Sequence, residues 1–124
     1  WDVDECVDFS RWLKDEGVDL IDCSSGGNSA TQTLTPFPGY QVPFSARIRS
    51  EADVTTGAVG LITEAAQAEK ILEGGEADVI LLARELLRNP YWPIHAQTEL
   101  DGEAAWPSPY KRVAELRNYP APPR

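Results

Sequence analysis

The sequence has 124 residues, enough for one small domain, and its 42% hydrophobic and 25% charged residues are typical of a globular chain, which excludes wholesale disorder. Lys and Arg number 11 against 20 Asp and Glu, and the net charge of -9 argues against binding nucleic acid or anionic membrane surfaces. Every apolar run is shorter than the ~20 residues that a transmembrane helix needs.

The first half of the chain predicts two helices with a strand between them. Residues 2–16 carry apolar side chains at helical spacing, and residues 2–5 have the pattern of a capping box. Gly17 follows that helix, as glycine commonly does past a helix C-terminus. A short strand is expected at 18–23, then the small residues SSGG, a long proline-containing loop and a short helix at 44–51.

The second half predicts two more strands, each followed by a helix. The second strand is expected over 54–62 and its helix over 63–73, with Thr63 as the N-cap and a Gly-Gly pair as the stop. The third strand is expected over 77–83, and another helix begins at Glu85. Proline-rich sequence runs from there to the last residue.

Strands that alternate with helices predict an α/β fold with a parallel sheet. The strands are near-continuous apolar runs, which is typical when helices cover one face of a sheet and a core covers the other. Three strands are too few for a stable unit of this kind, because both edges and much of one face would be exposed. We therefore expect further strands, outside this sequence, to pair with those at Leu20 and Val79, in a barrel or a larger doubly wound sheet.

The ends of the predicted strands carry small residues, at the place where α/β folds bind ligands. They read SSGG after the first strand, Ala58-Val59-Gly60 in the second and Ala83-Arg84 after the third. Such turns, followed by helix starts, can aim backbone amides at an anion, and Arg84 adds a forked cation suited to phosphate oxygens. The alternative is that Gly60 only forms a turn and that Arg84 pairs with Glu85 or another surface acid. Spacing alone leaves both open.

Other side chains give weaker signals. His95, the only histidine, has no Asp, Ser or Cys at a diagnostic spacing, so we expect a surface or packing role. The sequence lacks a G-x-S-x-G nucleophile elbow and a G-x-G-x-x-G dinucleotide turn. Cys6 and Cys23 form neither a disulfide framework nor a metal site, and we expect both to be small buried hydrophobes in a reducing cytoplasm. No metal is predicted.

Four segments of the chain share their order and spacing with a known family: GVDLIDCSSGG (17–27), FPGYQVPFSARIR (37–49), TGAVGLIT (56–63) and ADVILLARELLRNPYWP (77–93). Together they resemble the C-terminal third of the Old Yellow Enzyme family of FMN-dependent ene-reductases, in particular its bacterial branch of xenobiotic reductases or NADPH dehydrogenases. The resemblance implies that residues 1–90 supply about the last three β/α units of a TIM (β/α)8 barrel, completed by a separate chain. Residues 91–124 would form a Pro-rich C-terminal helix and an interface tail.

The resemblance also implies an FMN phosphate site at the ends of the last two strands. The residues facing the phosphate would be Ala58, Val59, Gly60, Ala83 and Arg84. The family commonly has glycine at the position of Ala83. Because this sequence has alanine there, a backbone conformation that only glycine can adopt is excluded at this position. The segment WPSPYKR resembles one that crosses a dimer interface and places Arg112 and Tyr110 in the substrate pocket of the neighbouring subunit. Pro109, where many relatives have glutamine, departs from that pattern.

The activity implied is reduction of activated C=C bonds, in which NADPH or NADH gives hydride to FMN and reduced FMN passes it to the alkene. The family's substrate-binding and proton-donating residues lie in earlier strands, so we expect no catalytic residue in this chain and no activity from it alone. We expect a complementary N-terminal chain, a dimer or tetramer of the assembled unit, and a cytoplasmic location. The alternatives are a non-redox phosphate- or nucleotide-binding half-domain and an inactive proteolytic fragment.

Overall fold

The computed structural model describes residues 2–111, which form an α/β unit around a three-stranded sheet. In chain order the elements are α1 (Val3–Asp15), β1 (Leu20–Cys23), α2 (Val42–Ala52), β2 (Thr55–Ala58), α3 (Ala65–Glu73), β3 (Val79–Ile80), α4 (Arg84–Arg88), α5 (Trp92–Asp101) and a short 3-10 helix at Ser108–Tyr110. The predicted alternation of helices and strands is confirmed. Within this range no helix is long and apolar enough to cross a membrane.

The three strands form one parallel sheet in the order β1-β2-β3. Leu20 of β1 pairs with Thr55 of β2, and Gly57 of β2 pairs with Val79 of β3. β1 and β3 are therefore the two edges of the sheet, which is where we expected missing partners. Because the strands run in the same direction, the segments that follow β2 and β3 leave the sheet side by side.

Both ends of α1 follow the signals in the sequence. The carboxylate of Asp2 accepts the N–H of Glu5 at 2.9 Å, and the carboxylate of Glu5 accepts the N–H of Asp2 at 3.0 Å, which are the reciprocal bonds of a capping box. Gly17 has a φ of 93°, and its N–H donates to the carbonyl of Lys14 at 2.9 Å. This left-handed residue ends the helix and directs the chain into β1.

The core lies between one face of the sheet and the helices. It consists of two clusters of buried side chains: Val7, Cys23, Ile48, Ala52 and Val54, and Val42, Ala58, Ile62, Ala68, Ile71 and Ala77. Strand alternation places Leu20, Thr55 and Val79 on the opposite face. There Leu20 is 38% exposed, Thr55 is exposed and Val79 is only half-buried. Within residues 2–111 the sheet thus has a well-packed core on one face alone.

All three strands are shorter than the sequence predicts, and β1 begins at Leu20 rather than at residue 18. β2 ends at Ala58 rather than at residue 62, because Gly60 and Leu61 adopt φ values of 124° and 51° and turn the chain out of the sheet. β3 pairs over Val79–Ile80 only, although its apolar run extends over 77–83. As an edge strand beside a four-residue neighbour, β3 has few ladder partners within the described range.

The N-cap prediction for α3 is wrong. The helix begins at Ala65, and its N-cap is Glu64, which makes no side-chain capping bond. The hydroxyl of Thr63 donates instead to the Glu64 carboxylate at 3.2 Å. The carbonyl of Thr63 accepts the indole N–H of Trp92 at 2.8 Å, so the turn before α3 also holds the start of α5.

Candidate functional site

A cavity of about 480 Å³ opens at the carboxyl ends of β2 and β3. Its wall comes from the turn at 59–63, from residues 81–85 with Arg88, and from Tyr40 and Gln41 just before α2. Ligand sites in proteins typically enclose about 300–1,000 Å³. The cavity also lies at the end of the sheet where parallel α/β folds bind their ligands. It is therefore the candidate functional site.

The structure brings four of the five predicted phosphate-site residues to this cavity. They are Val59, Gly60, Ala83 and Arg84. The fifth, Ala58, is 0% exposed within β2, and its carbonyl accepts the N–H of Leu81 at 2.8 Å. Ala58 thus holds β2 to the segment after β3 and packs in the core, and it does not line the cavity. Ala83 has a negative φ of -100°, so its backbone is not in the left-handed region that favours glycine.

Tyr110, one of the two residues predicted to reach a neighbouring subunit, does not line this cavity. The ring of Tyr110 packs edge-to-face on that of Tyr91, with the ring centroids 5.6 Å apart. Arg112 lies outside the described residues. The role of both residues in a neighbouring subunit stays a prediction.

His95 has the packing surroundings that we expected. Its Nδ1 lies 3.2 Å from the side-chain amide nitrogen of Asn89, and its ring lies 6.1 Å from that of Trp106. Across residues 2–111, no group of three or more His, Cys, Asp or Glu side chains is placed to hold a metal ion.

The turn after β2 presents two unbonded backbone amides. The carbonyl of Val59 accepts the side-chain amide of Gln41 at 2.9 Å, and the carbonyl of Gly60 accepts the N–H of Gly39 at 2.8 Å. In a trans peptide the N–H points opposite to the C=O, so the N–H groups of Gly60 and Leu61 point away from residues 39–41. Within residues 2–111 neither of these N–H groups donates a hydrogen bond. Both residues line the cavity.

Only glycine fits at position 60. Its φ of 124° lies in the region that side-chain-bearing residues rarely adopt. A Cβ added there would lie 2.8 Å from Cε1 of Tyr40 and 2.9 Å from Nε2 of Gln41. The close approach of residues 40 and 41 therefore requires a residue without a side chain in the turn.

Arg84 is exposed at the cavity wall, and none of the ion pairs within residues 2–111 involves it. The sequence alternative, in which Arg84 pairs with Glu85, does not occur, because the Glu85 carboxylate pairs with Arg88. Within residues 2–111 the charged side chains of the cavity wall are the guanidinium groups of Arg84 and Arg88 and the carboxylate of Glu85. The cavity is thus locally positive in a chain whose net charge is -9.

Gln41 is the functional residue that sequence reasoning missed. It is 3% exposed, and its side chain contacts both the turn after β2 and Ser25 in the loop after β1. Gln41 lies in the segment 37–49 that resembles the family, but nothing in the spacing marks its side chain. Gln41 is 16 positions from Ser25 and 18 positions from Val59 along the chain. Contacts of this kind between irregular loops leave no periodic signal in the sequence.

The arrangement fits a phosphate group. Two adjacent unbonded N–H groups can each donate to a phosphate oxygen, and a guanidinium can donate in a bidentate fork. Within residues 2–111 the sole carboxylate that lines the wall, that of Glu85, is engaged by Arg88. The chemistry that these residues support is binding and orientation of an anion.

The chain resembles a family of flavin enzymes. A sequence model of the NADH:flavin oxidoreductase / NADH oxidase family matches residues 2–103. A protein of Halalkalibacterium halodurans named NADPH dehydrogenase is 50% identical over 112 residues, which cover 90% of this chain and 33% of that protein. A protein of the same name from Bacillus licheniformis is 51% identical over 112 residues, again covering 90% of this chain and 33% of the relative. The chain therefore spans about a third of the length of these relatives.

Proposed function

Because this chain belongs to the NADH:flavin oxidoreductase / NADH oxidase family, we propose that it forms the cofactor-phosphate site of an FMN-dependent oxidoreductase that uses NADPH or NADH. The predicted resemblance to the Old Yellow Enzyme family is confirmed. The observation that carries the proposal is one cavity that joins the unbonded amides of Gly60 and Leu61 to Arg84, which has no ion-pair partner within residues 2–111.

The residues of this chain would hold the phosphate by a positive charge and by N–H donors that point towards it. Arg84 offsets the negative charge of the phosphate and donates to its oxygens. The amides of Gly60 and Leu61 add donors whose direction is fixed by the carbonyl bonds on the other side of the turn. Val59 and Ala83 contribute backbone to the same wall. Ala58 is buried in the sheet, and its carbonyl accepts the N–H of Leu81, a residue of the cavity wall.

When bound, FMN would supply hydride transfer from the nicotinamide to the activated C=C bond of a small alkene. This chain contributes binding and orientation to that reaction. We propose that the groups that bind the alkene and donate its proton belong to polypeptide outside this sequence, since the cavity wall holds no free acid within the described range.

We further propose that a separate chain completes the barrel. Within residues 2–111 the two edge strands, β1 and β3, each pair only with β2 and have no partner on their outer side. Leu20, on the face of the sheet opposite the core, is 38% exposed. The relatives have three times the length that this chain covers, which is enough for the remaining strands of a (β/α)8 barrel. The assembled unit would then form a dimer or tetramer, with Tyr110 and Arg112 reaching the substrate pocket of a neighbouring subunit.

Isolation of the assembled protein tests this function directly. The expected result is a yellow complex that keeps its flavin through gel filtration, releases FMN on denaturation, contains a second, larger polypeptide, and oxidises NADPH or NADH when an activated alkene is added. A complex that contains the partner but no flavin would contradict the proposal. Binding of a colourless nucleotide would then favour the non-redox half-domain, and absence of any partner or ligand would favour an inactive fragment.

A further inference from the structure

Gln41 makes contacts that its place at the start of a helix does not explain. It is the N-cap residue of α2, yet its side chain makes no capping bond. The side chain is instead 3% exposed and lies between two loops that end neighbouring strands. Its Nε2 donates to the carbonyl of Val59 at 2.9 Å, and its Oε1 accepts the hydroxyl of Ser25 at 3.0 Å and also the backbone N–H of Ser25.

We propose that Gln41 is a positioning residue that fixes the direction of the phosphate-binding amides in the turn after β2. The inference rests on the proposed function, because it assigns a role toward the phosphate of the same cofactor. Gln41 acts through Val59: the carbonyl and the N–H on the two sides of one planar peptide point in opposite directions. Holding the Val59 carbonyl therefore sets the direction of the Gly60 N–H.

The adjoining peptide is held in the same way. The Gly60 carbonyl accepts the N–H of Gly39 at 2.8 Å, which sets the direction of the Leu61 N–H. Two successive peptides of the turn are thus anchored by one short segment, residues 39–41, and both N–H groups face away from it. Donors held in place before an anion arrives lose little conformational freedom when they bind it.

The chemistry of glutamine suits this position. A side-chain amide has both donor hydrogens and an acceptor oxygen, and the two loops require one of each. A carboxylate would leave the Val59 carbonyl without a donor, and an apolar side chain would leave both loops unbonded. Because Gln41 is buried, loss of its bonds leaves polar backbone unsatisfied and allows the turn to reorient.

The link to Ser25 adds a second consequence. Ser25 lies in the loop after β1, so Gln41 ties the ends of two adjacent strands to each other. The same amide also explains the glycine in the turn, since a Cβ at position 60 would lie 2.9 Å from Nε2 of Gln41. Glutamine at 41 and glycine at 60 therefore form one unit that shapes the cavity wall.

The test compares FMN with riboflavin, which lacks the phosphate, in the assembled protein. Flavin-fluorescence titration gives both dissociation constants for the wild type and for Gln41→Met, a neutral side chain of similar length. We expect FMN affinity to fall roughly tenfold in the variant, the effect of losing about one charge-assisted hydrogen bond. Riboflavin affinity should change little. Gln97→Met, on the exposed face of α5, is the matched control and should alter neither constant.

Each outcome is informative. An equal loss of affinity for both flavins, or no loss for either, would overturn the positioning role, because a general packing defect does not select for phosphate. A wild-type protein that binds neither flavin contradicts the proposed function itself. If Gln41→Met does not fold, Ser25→Ala removes one anchor of the same side chain. A smaller selective loss of FMN affinity in Ser25→Ala supports the inference, and unchanged selectivity contradicts it.

Discussion

The carboxylate of Glu85 pairs with the guanidinium of Arg88, three residues further along α4, and not with that of its neighbour Arg84. On a helix, residues three apart lie on the same face, whereas adjacent residues point in different directions. The Glu85 side chain is only 11% exposed, so its charge lies in the cavity wall and needs a partner there. Because Arg88 pairs with the Glu85 carboxylate, the guanidinium of Arg84 remains available to bind an anion.

Arg84→Ala should weaken FMN binding by about tenfold to a hundredfold, the usual range for losing a hydrogen bond to a charged group. Riboflavin affinity should stay close to that of the wild type, because only the phosphate contact is removed. Flavin-fluorescence titration of both ligands measures the effect. Arg11→Ala is the control and should change neither affinity, because Arg11 contacts Asp8 and the Glu51 carbonyl and does not line the cavity. Unchanged FMN affinity in Arg84→Ala would show that Arg84 is a surface residue.

Arg88→Ala should weaken FMN binding several-fold although Arg88 is already paired. Its loss leaves the mostly buried Glu85 carboxylate unpaired in the wall of an anion site, where it repels the phosphate and competes for Arg84. Adding Glu85→Gln should restore most of the affinity, since the carboxylate is then absent. A double-mutant cycle on FMN affinity measures the coupling. Additive effects of the two substitutions would contradict this account.

Gly60→Ala should destabilise the protein and reduce FMN affinity together. The new Cβ would lie 2.8 Å from Cε1 of Tyr40, in a residue whose φ is 124°. A strained conformation of this kind costs about 1–3 kcal/mol, before any clash is counted. Gly17→Ala is the control, because Gly17 also has a positive φ, 93°, but a Cβ there meets no atom of residues 2–111 within 4 Å. Chemical denaturation should show the larger loss for Gly60→Ala, and equal losses would exclude the clash.

Asp78 should contribute an acid-sensitive part of the stability. Its carboxylate accepts the N–H of Thr56 at 2.9 Å and Nε–H of Arg49 at 3.0 Å, and these bonds, that of Thr56 foremost, hold its pKa below the ordinary 3.8. Because the folded pKa is the lower one, this stabilisation is complete above the ordinary value and is lost as the pH falls through the folded pKa. Asp78→Asn should therefore be less stable at neutral pH and less sensitive to acid.

Asp53→Asn is the comparison for that experiment. The hydrogen bond and charge of Lys14 lower the pKa of Asp53 too, but its side chain is 97% exposed. Salt screens exposed ion pairs, so the effect of Asp53→Asn should fade in high salt, while that of Asp78→Asn should persist. Denaturation curves across acid pH at two salt concentrations separate the two. A salt-sensitive Asp78 would contradict the role of the backbone bond.

Cys23 should be an unreactive thiol. Burial, with smaller effects of Asp22 and Cys6, raises its pKa from 9.0 to about 11. The thiolate is the reactive form, so a thiol reagent at mildly alkaline pH should label the Cys6→Ser variant only after unfolding. Since the folded pKa is the higher one, stability should also decline as the pH rises above 9.0 towards about 11. Fast labelling of folded Cys6→Ser would contradict the burial of Cys23.

The elements of this fold were predictable from the sequence because their signals are local. The capping box of Asp2 and Glu5 and the left-handed Gly17 fix both ends of α1 by contacts within one turn of helix. The strand ends were not predictable in the same way. A strand ends where its hydrogen-bonding neighbour ends or where the backbone turns, and the apolar run continues through Leu61 and Ile62.

The sequence by itself determined the alternation of helices and strands, the family, and the residue types at the strand ends, because periodicity, capping and motif order are written along the chain. Only the tertiary structure decided which of these groups are free to bind an anion. Ala58 is buried in the core, and the Glu85 carboxylate pairs with Arg88. The side chain of Gln41 bonds to the carbonyl of Val59 and so orients the amide of the turn after β2. Those outcomes depend on where carbonyls and side chains from separate segments meet in space. The spacing of residues along the sequence does not encode these contacts.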